Sequence, residues 1–159
     1  MRERGVLAAE IEVQVPFHDV DLAQVVWHGH YLKYFENARW ALMDQLDCGL
    51  EAMIGSGFGW PVVDLKVRYL RFSRYGDRLR VRAALVDWEN RLTIVYLVTD
   101  AATGERVARA QTRQVAVDGA TGVLQLTSPP AFVARIEAAL VRAGVSLSPL
   151  APSDQLGRT

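Results

Sequence analysis

The chain has 159 residues, half of them hydrophobic, and its 18 basic and 18 acidic residues cancel to a formal net charge of zero. This length suits one domain with a substantial core. Non-specific nucleic-acid binding depends on a concentrated basic surface, so we expect no nucleic-acid partner. The sequence shows neither an apolar run long enough to span a bilayer nor the hydrophobic core of a secretory signal. Together these features predict a soluble, cytoplasmic protein.

Hydrophobic alternation predicts a first strand after a flexible leader at residues 1–9. Polar residues separate its apolar positions, which are Ile11, Val13, Val15 and Phe17, so one face of the strand should be buried. The pattern breaks at residues 19–27, where we expect a turn and a short irregular helix.

A long helix should follow at about residues 30–47, because its apolar residues recur at steps of three and four. These residues are Tyr31, Tyr34, Phe35, Ala38, Ala41, Leu42 and Leu46. Gly49 stands where the helix should end. The helix is apolar around much of its circumference, which predicts that other elements wrap it. The glycines of residues 54–61 then indicate a mobile loop, a candidate lid.

The second half of the chain has the pattern of antiparallel strands joined by tight turns. Strands are predicted at residues 63–70, 78–85, 92–99 and 107–117, with turns at 73–77, 89–90 and 102–105. Strand 92–99 is apolar on both faces and should be central in the sheet. Residues 118–122 should end the sheet, residues 129–143 should form a short amphipathic helix, and the tail at 146–159 should be disordered.

This order of elements predicts a single α+β domain over residues 10–145. An antiparallel sheet of about five strands would curl around one long helix. Such a sheet leaves open edges and a half-covered core, so we expect self-association as a homodimer or homotetramer.

Carboxylates and imidazoles gather between Phe17 and Arg39, where Asp19, Asp21 and all three histidines precede or begin the helix. Asp21 lies between a strand end and a helix start, and a carboxylate at such a position can act as a general base or a nucleophile. The alternative is a turn-forming aspartate, common where strands end. The N–H groups at the helix start, around His28, could hold the oxyanion that forms when a carbonyl is attacked.

A metal site is a weaker interpretation of the same cluster. The three histidines and two aspartates could supply zinc ligands. Residues two apart at a helix start point in different directions, however, and no cysteine or further histidine completes the set. Glu36 is a second candidate acid, and the alternative for it is a surface charge paired with Lys33 or Arg39 on the same helix.

Other chemistry-bearing patterns are missing from the sequence. Cys48, the single cysteine, cannot form an internal disulfide, and its apolar setting favours a buried thiol over a nucleophile. The sequence contains no serine nucleophile elbow, phosphate-cradling loop or dinucleotide fingerprint. We therefore expect no cofactor and no metal.

The run from Asp19 to Arg39, DVDLAQVVWHGHYLKYFENAR, closely resembles the signature of hotdog-fold thioesterases of the 4-hydroxybenzoyl-CoA thioesterase group. That group includes bacterial acyl-CoA thioesterases associated with the Tol–Pal system. The run VRYLRFSRYGDRLRV at residues 67–81 is similar to the second strand, turn and third strand of the same group. The resemblance covers about residues 10–140 and implies a hotdog fold.

By position, the resemblance implies that Asp21 is the catalytic aspartate and that the backbone N–H of His28 is the oxyanion donor. The His28 imidazole matches a histidine of the Tol–Pal-associated branch, where it would orient the aspartate or the substrate. Tyr31 and Glu36 match common motif positions. His30 departs from the small or amide residues that are usual at its position.

The sequence differs from that of the group at the hairpin of residues 88–91, where substrate contacts are expected. The hydroxybenzoyl enzyme carries a basic run there that contacts the CoA phosphates, whereas this chain reads Trp-Glu-Asn-Arg. We expect phosphate binding to rest on Arg91, with Arg71 or Arg74 as further candidates, or else an acyl chain borne by a carrier protein. The acyl pocket is expected to be lined by residues near the helix start and the glycine loop, namely Tyr31, Phe58 and Trp60.

Residues and resemblance together predict an acyl thioesterase that hydrolyses an acyl-CoA or acyl-carrier-protein thioester to an acid and a thiol. Asp21 would attack the carbonyl or activate a water, and the His28 N–H would hold the oxyanion. Two alternatives stay open. One is a hotdog hydratase or dehydratase with an Asp–His pair, and the other is a non-catalytic acyl-binding or structural oligomer.

Overall fold

The computed structural model describes residues 5–147. The strands are β1 (Leu7–Gln14), β2 (Phe58–Gly59), β3 (Val62–Tyr69), β4 (Arg78–Asp87), β5 (Leu92–Asp100), β6 (Arg106–Gln114) and β7 (Val117–Asp118). The helices are α1 (Tyr31–Gln45), α2 (Leu50–Gly55) and α3 (Pro130–Arg142). Five strands form one antiparallel sheet in the order β1-β4-β5-β6-β3, and β2 pairs with β7 in a separate two-stranded sheet.

Helix α1 packs on β1 and β4 and supplies much of the core. Its buried apolar residues recur at helical spacing, as predicted, and they are Tyr31, Tyr34, Phe35, Ala38, Leu42 and Met43. Strand β5 is buried on both faces from Leu92 to Tyr96 and lies in the middle of the sheet, which confirms its predicted place. A long helix held by an antiparallel sheet is the α+β hotdog architecture that the resemblance implied.

The first strand begins earlier and ends earlier than predicted. Leu7, Ala8 and Ala9 pair with β4, so three residues of the expected leader lie in the sheet. Alanine has a low strand propensity, so the sequence pattern did not predict that the strand begins here. The strand ends at Gln14 because Pro16 has no N–H to donate. Phe17 was expected on the buried face, but it lies in a 3-10 turn and is 74% exposed.

The glycine-rich segment 54–61 was predicted to be a mobile loop, and the structure gives it regular elements instead. Helix α2 runs into it, and β2 pairs with β7 from far along the chain. Gly57 adopts a φ of +77°, a left-handed conformation that glycine reaches without strain. Its carbonyl accepts the Gly119 N–H at 2.8 Å, which ties the two segments together. Residues 148–159 of the predicted tail lie outside the described residues.

Strand β3 is one edge of the five-stranded sheet. Its outer backbone groups have no strand partner within residues 5–147, and several of its apolar side chains are exposed, among them Val62, Val63 and Leu65. An exposed apolar edge favours pairing with another chain. Among residues 5–147, none of the helices combines the length and apolar character needed to cross a membrane.

Candidate active site at the start of the long helix

Two irregular turns hold the clustered carboxylates and histidines at the N-terminal end of α1. The first is the 3-10 turn Phe17–Asp19, and the second is the 3-10 turn His28–His30, which runs directly into the helix. The Trp27 N–H donates to the Asp19 carbonyl at 2.9 Å and joins the two turns. Asp21 lies on the loop between them. The predicted turn and short irregular helix are therefore present.

Asp21 is exposed and organises its own loop. One carboxylate oxygen accepts the Ala23 N–H at 2.8 Å, and the Asp21 N–H donates to the Val25 carbonyl at 3.0 Å. This is the turn-forming role that the sequence left open. It does not exclude chemistry, because an exposed carboxylate can still reach a substrate. Within residues 5–147 no hydrogen bond joins Asp21 to His28.

His28 is anchored through its backbone and its ring. Its carbonyl accepts the Tyr69 hydroxyl at 2.7 Å, and its ring lies 4.9 Å from the Trp27 ring and 6.5 Å from the Tyr69 ring, centroid to centroid. The end of β3 thereby holds the turn in place. An N–H at the first position of a helical turn has no acceptor within that turn. The His28 N–H therefore has no acceptor within its own turn.

The buried carboxylate of the cluster is Asp19, which is only 1% exposed. One oxygen accepts the Tyr34 hydroxyl at 2.6 Å, and the other pairs with the Lys33 ammonium. Its backbone carbonyl also accepts a hydrogen bond from His30 Nδ1 at 2.9 Å. Asp19 thus connects both turns to the first turn of α1. Sequence reasoning considered Asp19 only as a candidate zinc ligand and missed this structural role.

Ionisation of Asp19 depends on these partners. Burial opposes the charged form, but the hydrogen bonds from Lys33 and Tyr34 and the Lys33 charge outweigh it, so the pKa of Asp19 lies below its ordinary value of 3.8. Burial and the bond to the same carboxylate raise the pKa of Tyr34. Asp19 is therefore an anion and Tyr34 a neutral donor at neutral pH.

The structure separates the predicted substrate-binding residues into two groups. Tyr31 is buried at the start of α1, with its ring centroid 5.5 Å from that of Tyr69. Phe58 and Trp60 line a cavity beyond the other end of α1, and Arg91 precedes β5 at that same end. The 15 residues of α1 span roughly 22 Å. Within a single chain Tyr31 therefore does not share a pocket with Phe58 and Trp60, because α2 and β2 carry these two residues to the opposite end of α1.

A groove of about 510 Å³ opens beside Tyr69 and is lined by residues 69–74 with Asp100, Glu105 and Val107. It contains two of the three arginines considered for phosphate binding. Arg71 pairs with Glu105 at 2.9 Å, and Arg74 lies three residues further on. In one chain, Arg71 and Arg74 are thus near the Asp21 end of the molecule and Arg91 is not.

The other candidates have structural partners. Glu36 forms a two-pronged ion pair with Arg39, at 3.2 Å to Nε and 2.5 Å to a terminal nitrogen, which confirms the alternative interpretation. Cys48 is buried, and burial raises its pKa to about 11, so it is the inert thiol that was expected. Among residues 5–147, no three His, Cys, Asp or Glu side chains are grouped to hold a metal ion.

Comparisons with known proteins agree with this architecture. Residues 15–140 match the family model described as the thioesterase-like superfamily. One relative is the Synechocystis sp. protein sll0410, which is provisionally named an esterase. It is 30% identical to this chain over 128 residues, which cover 76% of this chain and 74% of the relative. Bacillus subtilis YneP, provisionally named an acyl-CoA thioesterase, is 27% identical over 107 residues, covering 67% of this chain and 78% of the relative.

Solved structures show the same fold. The crystal structure of Slr0204, a 1,4-dihydroxy-2-naphthoyl-CoA thioesterase from Synechocystis, aligns with a TM-score of 0.72 at 24% identity, covering 81% of this chain and 95% of that chain.

Replacing Asp19 by Asn leaves the Lys33 ammonium without its anion, so we expect the free energy of unfolding at pH 7 to fall by about 1–3 kcal/mol. The folded-state pKa of Asp19 is lowered. Its carboxylate therefore stabilises the fold at pH values above its ordinary pKa of 3.8, and this contribution is lost as the pH falls through the lower folded-state pKa. Asp19→Asn should accordingly lose less stability than the wild type on acidification.

Urea unfolding at pH 7 and pH 3 measures both effects. Asp21→Asn is the matched control, because Asp21 is exposed and an amide oxygen can still accept the Ala23 N–H. It should unfold like the wild type at both values. An Asp19→Asn variant with the same acid dependence as the wild type would show that the buried carboxylate does not stabilise the fold.

Proposed function

Because the chain belongs to the thioesterase-like superfamily, we propose that it hydrolyses an acyl-CoA thioester to a free acid and the CoA thiol. The family match and the names of the relatives indicate a thioester hydrolase. The observation that carries the proposal is the start of α1. There Asp19 joins two turns, the exposed carboxylate of Asp21 lies on the loop between them, and His28 begins the second turn.

Asp21 supplies the base or the nucleophile. It either removes a proton from a water that attacks the thioester carbonyl carbon, or attacks that carbon itself and is released by water in a second step. In both routes the C–O bond forms, the C–S bond breaks, and the sulfur leaves as the CoA thiol. Exposure of Asp21 allows the thioester to approach its free oxygen.

His28 supplies the charge stabilisation. During attack the carbonyl oxygen becomes an oxyanion, and the His28 N–H at the start of the turn and of α1 donates to it. The Tyr69 hydroxyl holds the same residue through its carbonyl, so the donor is in place before the substrate arrives. The exposed ring of His28 orients the aspartate or the substrate.

The groove beside Tyr69 suits the phosphates of CoA. Arg71 and Arg74 line it together with Asp100 and Glu105, and a bound phosphate would take the place of Glu105 as the partner of Arg71, since guanidinium groups bind phosphate oxygens well. These two residues replace Arg91 as the proposed phosphate contacts within one chain. An acyl group on a carrier protein would present a phosphopantetheine arm to the same groove. Tyr31 remains in the proposal as a wall of the acyl site, through its contact with Tyr69.

Self-association belongs to the same proposal. The apolar side chains on the exposed edge strand β3 support a homodimer or homotetramer that covers this edge. Phe58, Trp60 and Arg91 contact the Asp21 site only if a second copy supplies them.

Asp21→Asn should lower thiol release from a panel of aromatic and aliphatic acyl-CoAs by roughly 10²–10⁴-fold, because it removes the base and keeps the turn. Asp44→Asn changes an exposed aspartate at the other end of α1 and should leave release unchanged. Wild-type turnover by a folded Asp21→Asn variant would contradict the mechanism. Water addition or loss on the same esters, without thiol release, would favour the hydratase alternative.

Val63→Lys should shift the protein toward a monomer, because it places a charge on the exposed β3 edge, where Val63 is 55% exposed. Light scattering after size-exclusion chromatography measures the mass. Leu126→Lys is the control, since Leu126 is also strongly exposed but lies outside the sheet. A monomeric wild type would contradict self-association. An oligomer that tolerates Val63→Lys would place the interface away from the β3 edge.

A further inference from the structure

His30 contacts the peptide that carries the proposed oxyanion donor. The His28 N–H belongs to the peptide that joins Trp27 to His28, and the carbonyl of this peptide is the Trp27 carbonyl. The His30 N–H donates to that carbonyl at 2.9 Å. A peptide group is planar and trans, so its carbonyl and its N–H point in opposite directions. The bond from His30 to the carbonyl therefore sets the direction of the His28 N–H.

The His30 ring adds a hydrogen bond that a helical turn alone does not contain. Its Nδ1 donates to the Asp19 carbonyl at 2.9 Å, and the Trp27 N–H donates to the same oxygen at 2.9 Å. A carbonyl oxygen has two lone pairs, so it can accept both bonds. Trp27 is thus held at its N–H by Asp19 and at its carbonyl by His30. The hydrogen bonds form a closed ring, and the His30 side chain completes it.

Packing restrains the same turn. The Trp27 ring lies 4.9 Å from the His28 ring and 5.1 Å from the His30 ring, centroid to centroid, and it meets the His30 ring edge to face at 79°. A Cβ at position 29 would overlap the indole, so Gly29 allows the indole to lie against the turn. The His30 side chain is only 30% exposed. Its ring is therefore held in place before a substrate binds.

The acceptor determines which nitrogen of the neutral His30 ring carries the proton. A carbonyl oxygen cannot donate, so the proton is on Nδ1 and the lone pair is on Nε2. The Asp19 carboxylate lies 3.5 Å from Nδ1, and its negative charge favours the same tautomer. An asparagine at this position would place an amide N–H as many bonds from Cβ as Nδ1 is, so it could donate the same bond. A leucine would place a methyl group there.

We propose that His30 is a positioning residue for thioester hydrolysis, whose ring holds the His28 N–H in the direction of the developing oxyanion. This role rests on the proposed function, because it concerns the same oxyanion donor. The Tyr69 hydroxyl fixes the next peptide along the chain, through the His28 carbonyl. His30 and Tyr69 therefore hold the two peptides on either side of His28, and neither side chain needs to touch the substrate for this role.

His30→Leu removes the ring donor and keeps an atom in its place. We expect kcat for thiol release from acyl-CoA to fall by about 10²-fold with KM unchanged, because a misdirected N–H weakens oxyanion binding but not substrate binding. Steady-state kinetics measure both constants, and circular dichroism confirms that the variant folds. A wild-type kcat in folded His30→Leu, or a higher KM at an unchanged kcat, would overturn the proposal.

Two further variants separate the hydrogen bond from the loss of an imidazole. His30→Asn restores the donor and should keep most of the wild-type kcat, and a kcat as low as that of His30→Leu would overturn the proposal. His18→Leu is the control, because the His18 side chain is 78% exposed and its Nε2 lies 3.8 Å from the Asp19 carboxylate. It should release thiol as the wild type does. A loss equal to that of His30→Leu would remove the special role of His30.

Nitrogen NMR of the wild type tests the hydrogen bond without any turnover or substitution. The neutral His30 ring should be protonated at Nδ1, whereas a ring protonated at Nε2 would overturn the proposal. A wild type that has the Nδ1 proton but hydrolyses no thioester would refute the proposed function. Full thiol release by folded His30→Leu would instead refute the role of His30 alone.

Discussion

A buried charge is costly unless it is paired, and the carboxylate of Asp19 is the charge on which the start of α1 depends. Lys33 and Tyr34 supply its partners from one turn of the helix, while its own carbonyl binds the His30 ring. Asp19 therefore positions the turn that carries His28 together with the Tyr69 hydroxyl, which donates to the His28 carbonyl. The proposed chemistry uses Asp21, but its geometry is held by an aspartate that need not touch the substrate.

The long helix and the edge strand divide the molecule into two ends. At one end, Tyr69 closes β3 and holds His28, and the arginine-bearing groove opens beside it. At the other end, α2, β2 and α3 enclose the apolar cavity around Trp60. The long helix thus separates the polar, exposed turns around Asp21 and His28 from the apolar cavity, and the exposed β3 edge runs between the two ends.

Periodicity in the sequence predicted the elements with long, regular patterns. Helix α1 was found because its apolar residues recur at helical spacing, and the central strand β5 was found because it is apolar on both faces. The burial of Asp19 could not be found in this way, since its partners come from 14 and 15 residues further on and Asp21 has a similar local context. The separation of Phe58 and Trp60 from Tyr31 could not be found either, because α2 is short and β2 pairs with a strand almost sixty residues later. The catalytic role of Asp21 stays a prediction.

The most direct test of the mechanism is a crystal structure with a non-hydrolysable acyl-CoA analogue in which a methylene replaces the sulfur. The mechanism predicts the carbonyl oxygen at about 2.7–3.1 Å from the His28 backbone nitrogen, with the Asp21 carboxylate facing the carbonyl carbon. Phosphates of the analogue should lie near Arg71 and Arg74. An analogue bound with its carbonyl away from both His28 and Asp21 would contradict the proposed site.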